Sequence, residues 1–200
     1  MNIEQTRWTK SSGWEPQPQH LLGDRAQLGL VFGGKPLTEQ PALLDEIKRA
    51  YPAAKLLGCS TAGEIFDTQV SDHALVVTAI EFNETKVLGF EVQLTAIESS
   101  YQAGLRLAEQ LPKQDLRHVF VLSDGLHVNG SQLVAGLVEN LPPHGTLTGG
   151  LAGDGDRFSA TFVLWNDVPK IDTVAVVGLY GRHLRVRFGS LGGWDSFGPE

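Results

Sequence analysis

The chain carries an internal repeat that relates its two halves by an offset of 90 residues as far as the loops at 62–64 and 152–154, and by an offset of 100 beyond them. The first offset aligns an apolar, strand-like run, an amphipathic helix and the proline that ends the helix, Pro52 with Pro142. It also aligns Ala-Gly-Glu at 62–64 with Ala-Gly-Asp at 152–154. Unrelated β-α-β segments can share such strand, helix and turn boundaries by chance, but here one offset fits the strand, the helix, its end and the loop motif without a gap. We therefore predict a duplicated chain whose halves share one fold.

Each half is predicted to follow the order β-α-β-β-β, over residues 26–95 and 116–190. Apolar runs bounded by turn residues predict the strands of the first half, at 28–32, 55–58, 74–82 and 87–94. Thr38 is the predicted N-cap of the helix, and Asn83 the turn of a hairpin between the last two strands. Ten extra residues in the second half predict an added strand at 160–165. The expected fold class is α/β (mixed α+β), with mixed sheets flanked by helices in a layered sandwich.

The first 25 residues differ from the repeats. Residues 1–25 lack a hydrophobic period and predict an extended N-terminal arm without regular structure. Trp8 and Trp14 are expected to dock this arm on the domain that begins at residue 26. A helix at 100–111 is predicted to join the two halves.

Charge and cysteine content exclude several classes of protein. Sixteen Lys and Arg against 23 Asp and Glu give a net charge of −7 without a basic run, so we expect neither nucleic acid nor a membrane surface as a partner. The single cysteine, Cys59, excludes an internal disulfide framework and cysteine-clustered zinc or iron-sulfur sites. No stretch approaches the roughly 18 apolar residues of a membrane helix, and residues 1–20 do not resemble a signal peptide. These features predict a cytoplasmic protein.

Two loops have the composition of ligand-binding loops. GCSTAGE at 58–64 and TGGLAGDG at 148–155 combine glycines, which allow close backbone approach, with hydroxyl donors and carboxylates. The candidate ligand-binding residues are Cys59, Ser60, Thr61, Gly63, Glu64, Gly149, Gly150, Gly153 and Asp154. A pseudo-two-fold relation between the halves would bring both loops to one cavity, where Glu64 and Asp154 would meet an ammonium group. Sharp turns and close packing explain the same glycines equally well.

Cys59 suggests an alternative function, because a thiol that follows a strand can act as the nucleophile of a cysteine-dependent hydrolase. A lone cysteine is more often a buried, inert apolar residue. The sequence also lacks the Gly-x-Ser-x-Gly motif of serine hydrolases. We therefore predict that the protein is not an enzyme.

The six histidines are too far apart in sequence for a local multi-histidine zinc site. Haem, by contrast, needs only one axial imidazole, an apolar pocket and cations for its propionates. The segment RHLRVRFG predicts a strand that places His183, Arg185 and Arg187 on one face, which makes His183 the first candidate ligand of a haem iron. An ordinary half-exposed strand has the same pattern. His127 and His73 are the second and third candidates.

Several segments, taken in order, resemble the N-terminal half of the FIST domain, a sensory module of bacterial signalling proteins. These segments are LGLVFGG, GCSTAGEI, SDGLHVNGSQLVAGL, TGGLAGDGDRF and LYGRHLRVRFGSLGGWDSFGPE. The resemblance covers residues 26–200 and is most specific in GCSTAGE and GGLAGD. It implies a domain that binds a small ligand such as an amino acid and passes a signal to a kinase, a cyclase or a chemoreceptor.

The sequence is also similar to a stand-alone branch of that family, the NosP-type nitric-oxide sensors. This similarity implies haem as a cofactor, nitric oxide as the input, and a histidine kinase or a cyclic-di-GMP enzyme as the partner protein. The family pattern continues into a C-terminal FIST half that we expect to be absent here. A homodimer formed through the face that this half normally covers is a further expectation.

Overall fold

A seven-stranded and a four-stranded mixed sheet form the centre of the computed structural model, which describes residues 1–16 and 21–189 without the side chains at 35 and 36. The strands are β1 (Asn2–Thr9), β2 (Gly13–Glu15), β3 (Leu28–Gly33), β4 (Lys55–Cys59), β5 (Glu64–Phe66), β6 (Gln69–Ser71), β7 (Leu75–Glu81), β8 (Lys86–Gln93), β9 (Leu116–Ser123), β10 (Thr146–Leu151), β11 (Val163–Trp165), β12 (Pro169–Lys170) and β13 (Thr173–Tyr180). The α-helices are α1 (Lys35–Glu39), α2 (Pro41–Ala50), α3 (Ser100–Gln110) and α4 (Gly130–Glu139), and short 3-10 helices lie at Gly23–Arg25 and Leu94–Ala96.

The two sheets repeat one topology, as the sequence repeat predicts. Their strand orders are β12-β11-β4-β3-β7-β1-β2 and β10-β9-β13-β8. β3 runs parallel to β4 and antiparallel to β7, and β9 runs parallel to β10 and antiparallel to β13. The trios β4-β3-β7 and β10-β9-β13 are therefore equivalent, and β1 and β8 take the next equivalent places, beside β7 and β13.

Apolar side chains fill three layers. Two lie between a pair of helices and its sheet, and the third lies between the two sheets. α1 and α2 pack on the outer face of the first sheet, and α3 and α4 pack on the outer face of the second. Between the sheets, Leu57 and Cys59 of β4 belong to one cluster with Leu122 of β9 and Val177 of β13. This helix-sheet-sheet-helix order confirms the predicted layered α/β fold.

The N-terminal segment has regular structure, so the prediction of an arm without it is wrong. β1 pairs with β7 over seven residues, from Asn2 opposite Glu81 to Trp8 opposite Leu75. The tryptophans do dock as predicted, because Trp8 and Trp14 pack against the cluster beneath α2. β1 was not predicted from the sequence because most of its side chains are polar and partly exposed. This weakens the alternation of apolar and polar residues by which a strand is recognised.

The predicted hairpin at Asn83 is also wrong. β7 lies in the first sheet, whereas β8 pairs with β13 in the second. The chain therefore crosses between sheets over residues 82–85, with Phe82 and Val87 both buried in the layer between them. The same turn residues serve a hairpin or a crossover, so local sequence could not separate the two.

Thr38 does not cap the main helix of the first repeat. It lies inside α1, and α2 begins at Pro41 with Gln40 as its N-cap residue. Proline suits the first turn of a helix and disfavours helical geometry in the residue before it, which fixes the start of α2 at this point. The predicted buried face of α2 is confirmed by Leu43, Leu44 and Ile47.

Candidate functional site

The two Ala-Gly-acid loops lie in direct contact. The Gly153 N–H donates to the Ser60 carbonyl oxygen over 2.9 Å, and two further 2.9 Å hydrogen bonds join Ser60 to Phe162. A Cβ atom at Gly153 would lie only 2.9 Å from the backbone nitrogen of Ala62, so the close approach of the loops requires glycine here. The repeat thus correctly predicted that the two loops come together.

A cleft of about 450 Å³ opens where the loops meet. It lies at the carboxyl ends of the parallel strands β3 and β4, the position at which α/β folds commonly bind ligands. Its described lining residues are Gly34, Thr61, Ala62, Gly63, Glu64, Asp72, His73, Gly155, Asp156 and Arg157. A second cavity, of about 210 Å³, shares Gly34 and Arg157 and adds Ser60 and Asp154. A larger one, of about 740 Å³, lies beside α2, and neither loop contributes to its described lining.

Glu64 holds the floor of this cleft together. The residue is buried, with an exposure of only 2%. Oε1 accepts hydrogen bonds from the Gly34 N–H at 2.9 Å and the Thr61 hydroxyl at 2.6 Å, and Oε2 accepts from the Ala74 N–H at 3.0 Å. One carboxylate therefore joins the end of β3, its own loop and the start of β7. These protein donors take the place in which we expected an ammonium group.

Asp154 organises the second loop in a similar way. Its Oδ1 accepts from Nε of Arg157 at 3.0 Å, and its Oδ2 accepts from the N–H groups of Ser159 and Ala160. The hydrogen bonds from the Arg157 guanidinium are the main reason why the pKa of Asp154 lies well below its usual range, although burial opposes the shift. Glu64 and Asp154, the two equivalent acids, thus each position a loop by accepting hydrogen bonds from other groups of the protein.

The exposed charges at the mouth are Asp72, Asp156 and Arg157, with His73 beside them. None of the first three was a predicted site residue. One sequence signal could have found Asp72, because it aligns with Asp172 at the offset of 100 that holds beyond the loops. Nη1 of Arg157 has no hydrogen-bond partner within the described part of the chain, so it can still donate to a ligand.

Three of the predicted ligand residues lie away from the cleft. Gly149 and Gly150 are in β10, where a Cβ at Gly149 would lie 1.9 Å from the Val121 carbonyl oxygen. Cys59 is buried between the sheets, and burial raises the pKa of its thiol to about 12. A thiol in this state is protonated at neutral pH, so its position gives no support to the hydrolase alternative.

His127, the second haem candidate, joins two carboxylates at the equivalent end of the second sheet. Its Nδ1 lies 2.8 Å from Asp172 and 3.3 Å from Asp124, and the three ligand atoms lie within 4.8 Å of one another, close enough for a cation. Burial disfavours the charge of Asp124, but N–H groups of Leu126 and His127 and the Thr161 hydroxyl outweigh it and lower the pKa of Asp124. The carboxylate therefore stays ionised and fixes the turn.

His183 does not lie on a strand, so the predicted strand over 182–188 is wrong. β13 ends at Tyr180 with β8 and β9 on its two sides, and Gly181 then starts a turn closed by the Leu184 N–H. His183, Arg185 and Arg187 are all exposed. The cavity beside His183 is lined by the charged residues Glu84, Lys86, Asp115 and Arg182 together with Leu88, Pro112 and Tyr180.

Sequence reasoning missed His118, which is buried. It is 3% exposed and lies on β9, where its Nδ1 and Nε2 lie 2.7 and 2.9 Å from the hydroxyls of Thr146 and Thr148 on β10. Burial lowers the pKa of His118, so the folded state favours the neutral imidazole.

This histidine should make stability depend on pH. Because its pKa is lower in the folded state, the unfolded chain binds more protons below about pH 6.5, and the free energy of unfolding should fall as the pH drops through that value. Urea unfolding at about pH 7.5, 6.5 and 5.5 measures the slope. His118→Gln should flatten it, whereas His144→Gln, at an exposed position, should not. Equal slopes in both variants would contradict the assignment.

Among residues 1–16 and 21–189, no helix has the length and apolar character needed to cross a bilayer.

Comparison with known sequences places the chain in a family. A search of curated proteins found no match. The FIST N domain, by contrast, matches residues 27–200, which span both repeats and both loops of the cleft. FIST domains are sensory rather than catalytic modules. The chain is a member of the FIST N domain family.

Proposed function

We propose that this domain senses a small polar metabolite that carries an ammonium group, with an amino acid as the first candidate. The observation that carries the proposal is the contact between Gly153 and Ser60, which brings loops of both repeats to one cleft. The family is sensory, which supports the detection of a small ligand. A cleft of about 450 Å³ has the size of a small-ligand site.

Charge at the mouth favours such a ligand. Asp72 and Asp156 offer exposed carboxylates to an ammonium group, while Arg157 offers a guanidinium N–H to a carboxylate. The assignment of Glu64 and Asp154 changes accordingly, because their oxygens serve the protein and they act as positioning residues. A ligand held between Asp72 and Arg157 would bridge the two repeats and stabilise their contact.

Thermal unfolding with a panel of amino acids and amines tests the proposal. A ligand at a hundredfold excess over its dissociation constant should stabilise the domain by about 2.7 kcal/mol. Asp72→Asn and Asp156→Asn should each weaken binding about tenfold, a loss of about 1.4 kcal/mol. Asp45→Asn removes the same charge from the exposed face of α2 and should bind normally.

Two outcomes would contradict the proposal. One is an absence of any stabilisation across anionic, neutral and cationic amino acids and simple amines. The other is binding that the two cleft variants leave unchanged, since the ligand would then occupy another part of the chain.

Haem-based nitric-oxide sensing is the second form of the proposal, and it rests on the NosP-type resemblance. His183 would be the iron ligand and Arg185 and Arg187 the propionate partners, although these residues lie on an exposed segment. Absorption spectra after haem reconstitution test this form. A Soret band that shifts in His183→Ala would support it, and identical spectra would remove His183 from the scheme.

The output of the sensor is proposed to be a partner histidine kinase or a cyclic-di-GMP enzyme. Autophosphorylation of a candidate kinase, or turnover of a candidate cyclase, should change when the domain is added with its ligand. The Asp72→Asn variant is the control, because it should remove the ligand dependence and leave the domain folded.

A further inference from the structure

Three side chains that can ligate a metal meet at the end of the second sheet, outside the described lining of the cleft. Asp124 follows β9, His127 lies in the turn before α4, and Asp172 precedes β13. Three separate segments of the chain therefore contribute one side chain each. Nδ1 of His127 lies 2.8 Å from Oδ1 of Asp172 and 3.3 Å from Oδ1 of Asp124. We call these three residues the Asp-His-Asp cluster.

The internal repeat relates the Asp-His-Asp cluster to the cleft. Asp124 directly follows β9, as Gly34 directly follows β3. The strand registers make Asp172 the equivalent of His73, one residue away from the sequence alignment, and both residues have a positive φ, of 49° and 60°. Gly34 and His73 line the cleft. The cluster thus occupies in the second repeat the position at which the cleft opens in the first, at the carboxyl ends of two parallel strands.

Hydrogen bonds fix the Asp124 carboxylate and leave room for a cation. The residue is only 1% exposed. Oδ1 accepts from the N–H groups of Leu126 and His127 at 2.9 and 2.7 Å, and Oδ2 accepts from the Thr161 hydroxyl at 2.7 Å. A carboxylate has about four lone-pair sites, so these three hydrogen bonds leave one for a metal ion. Carboxylates that ligate metals are commonly oriented by hydrogen bonds of this kind.

The charge and the ligand types of the cluster favour a zinc ion. Within the described part of the chain, neither carboxylate forms an ion pair with Lys or Arg, and both have His127 as their partner. An imidazole nitrogen beside carboxylate oxygens suits zinc, whereas magnesium and calcium prefer oxygen ligands alone. The two distances from Nδ1 are close to the separation of about 3.3 Å between two ligands of a tetrahedral zinc ion.

We propose that the Asp-His-Asp cluster binds a zinc ion, with water completing the coordination. The side chain of His127 is 63% exposed and that of Asp172 is 26% exposed, so the ion can enter from solvent and keep a water ligand. Bound zinc would join the end of β9, the turn before α4 and the start of β13. It would therefore stabilise the second repeat at the point that corresponds to the cleft of the first.

Isothermal titration calorimetry of the chelator-treated chain with zinc tests the proposal. The wild-type chain should bind one zinc ion, and His127→Gln and Asp172→Asn should each raise the dissociation constant at least tenfold. Asparagine tolerates a positive φ and His127 is exposed, so both variants should fold, which circular dichroism checks. His144→Gln and Asp45→Asn remove an imidazole and a carboxylate from exposed positions elsewhere and should bind zinc as the wild-type chain does.

Three outcomes would overturn the proposal. An absence of zinc binding would show that His127 serves the two carboxylates as an ion-pair partner alone. Zinc binding that both cluster variants leave unchanged, or that His144→Gln weakens equally, would place the ion elsewhere. Magnesium binding as tight as that of zinc would show that the carboxylates attract cations without help from the imidazole.

Discussion

Replacing Glu64 with glutamine should lower the free energy of unfolding by about 2–4 kcal/mol. The buried carboxylate accepts from the Gly34 N–H, the Ala74 N–H and the Thr61 hydroxyl, and it does so through both oxygens. Glutamine keeps one acceptor oxygen, so its NH₂ group must face an N–H or hydroxyl donor. At least one buried hydrogen bond is lost, and the others no longer have a charged acceptor. Two hydrogen-bond donors then face each other.

Urea unfolding of the two forms measures this effect. Glu98→Gln removes the same charge from an exposed residue and should change stability by less than about 0.5 kcal/mol. Ligand stabilisation of Glu64→Gln should also be weaker, because the carboxylate sets the separation of β3, β7 and the loop between them. A Glu64→Gln protein as stable as Glu98→Gln would show that the three hydrogen bonds contribute little.

The repeat predicted where Glu64 and Asp154 lie, but not what they bind. Sequence periodicity fixes the order of strands and so brings loops at equivalent strand ends together. The partners of Glu64 are backbone N–H groups, and no side-chain pattern marks which backbone groups a carboxylate will meet. Asp154 depends on Arg157, which belongs to the same loop, and the sequence offered no reason to prefer that partner to a ligand.

The errors at β8 and at His183 share a different cause. Strand alternation is a local signal, and it was present in both segments: the run from Val87 lies in a true strand, β8, and exposure still alternates from His183 to Arg187. Whether an extended segment becomes a strand depends on a free neighbouring edge. Which edge is free depends on the whole sheet, so the position of β8 in the second sheet and the irregular path after Gly181 follow from tertiary structure.

Gly136→Ala should destabilise the domain because α3 and α4 touch backbone to backbone. A Cβ at Gly136 would lie 2.1 Å from the Tyr101 carbonyl oxygen, and one at Gly104 would lie 2.4 Å from the Leu133 carbonyl oxygen. No side-chain rotation relieves a contact with backbone, so one helix must shift. Overpacking of this kind costs about 1–3 kcal/mol and sometimes more, while alanine returns about 1 kcal/mol of helix propensity.

We therefore expect a net loss of up to about 2 kcal/mol for Gly136→Ala in chemical denaturation. Gly130→Ala is the matched control on the same helix, because its Cβ would meet only Leu151, at an ordinary 3.8 Å. It should leave stability unchanged or raise it slightly. If both variants were equally stable, the helices would have to separate without cost, which close packing of Leu133 and Leu137 beneath α4 argues against.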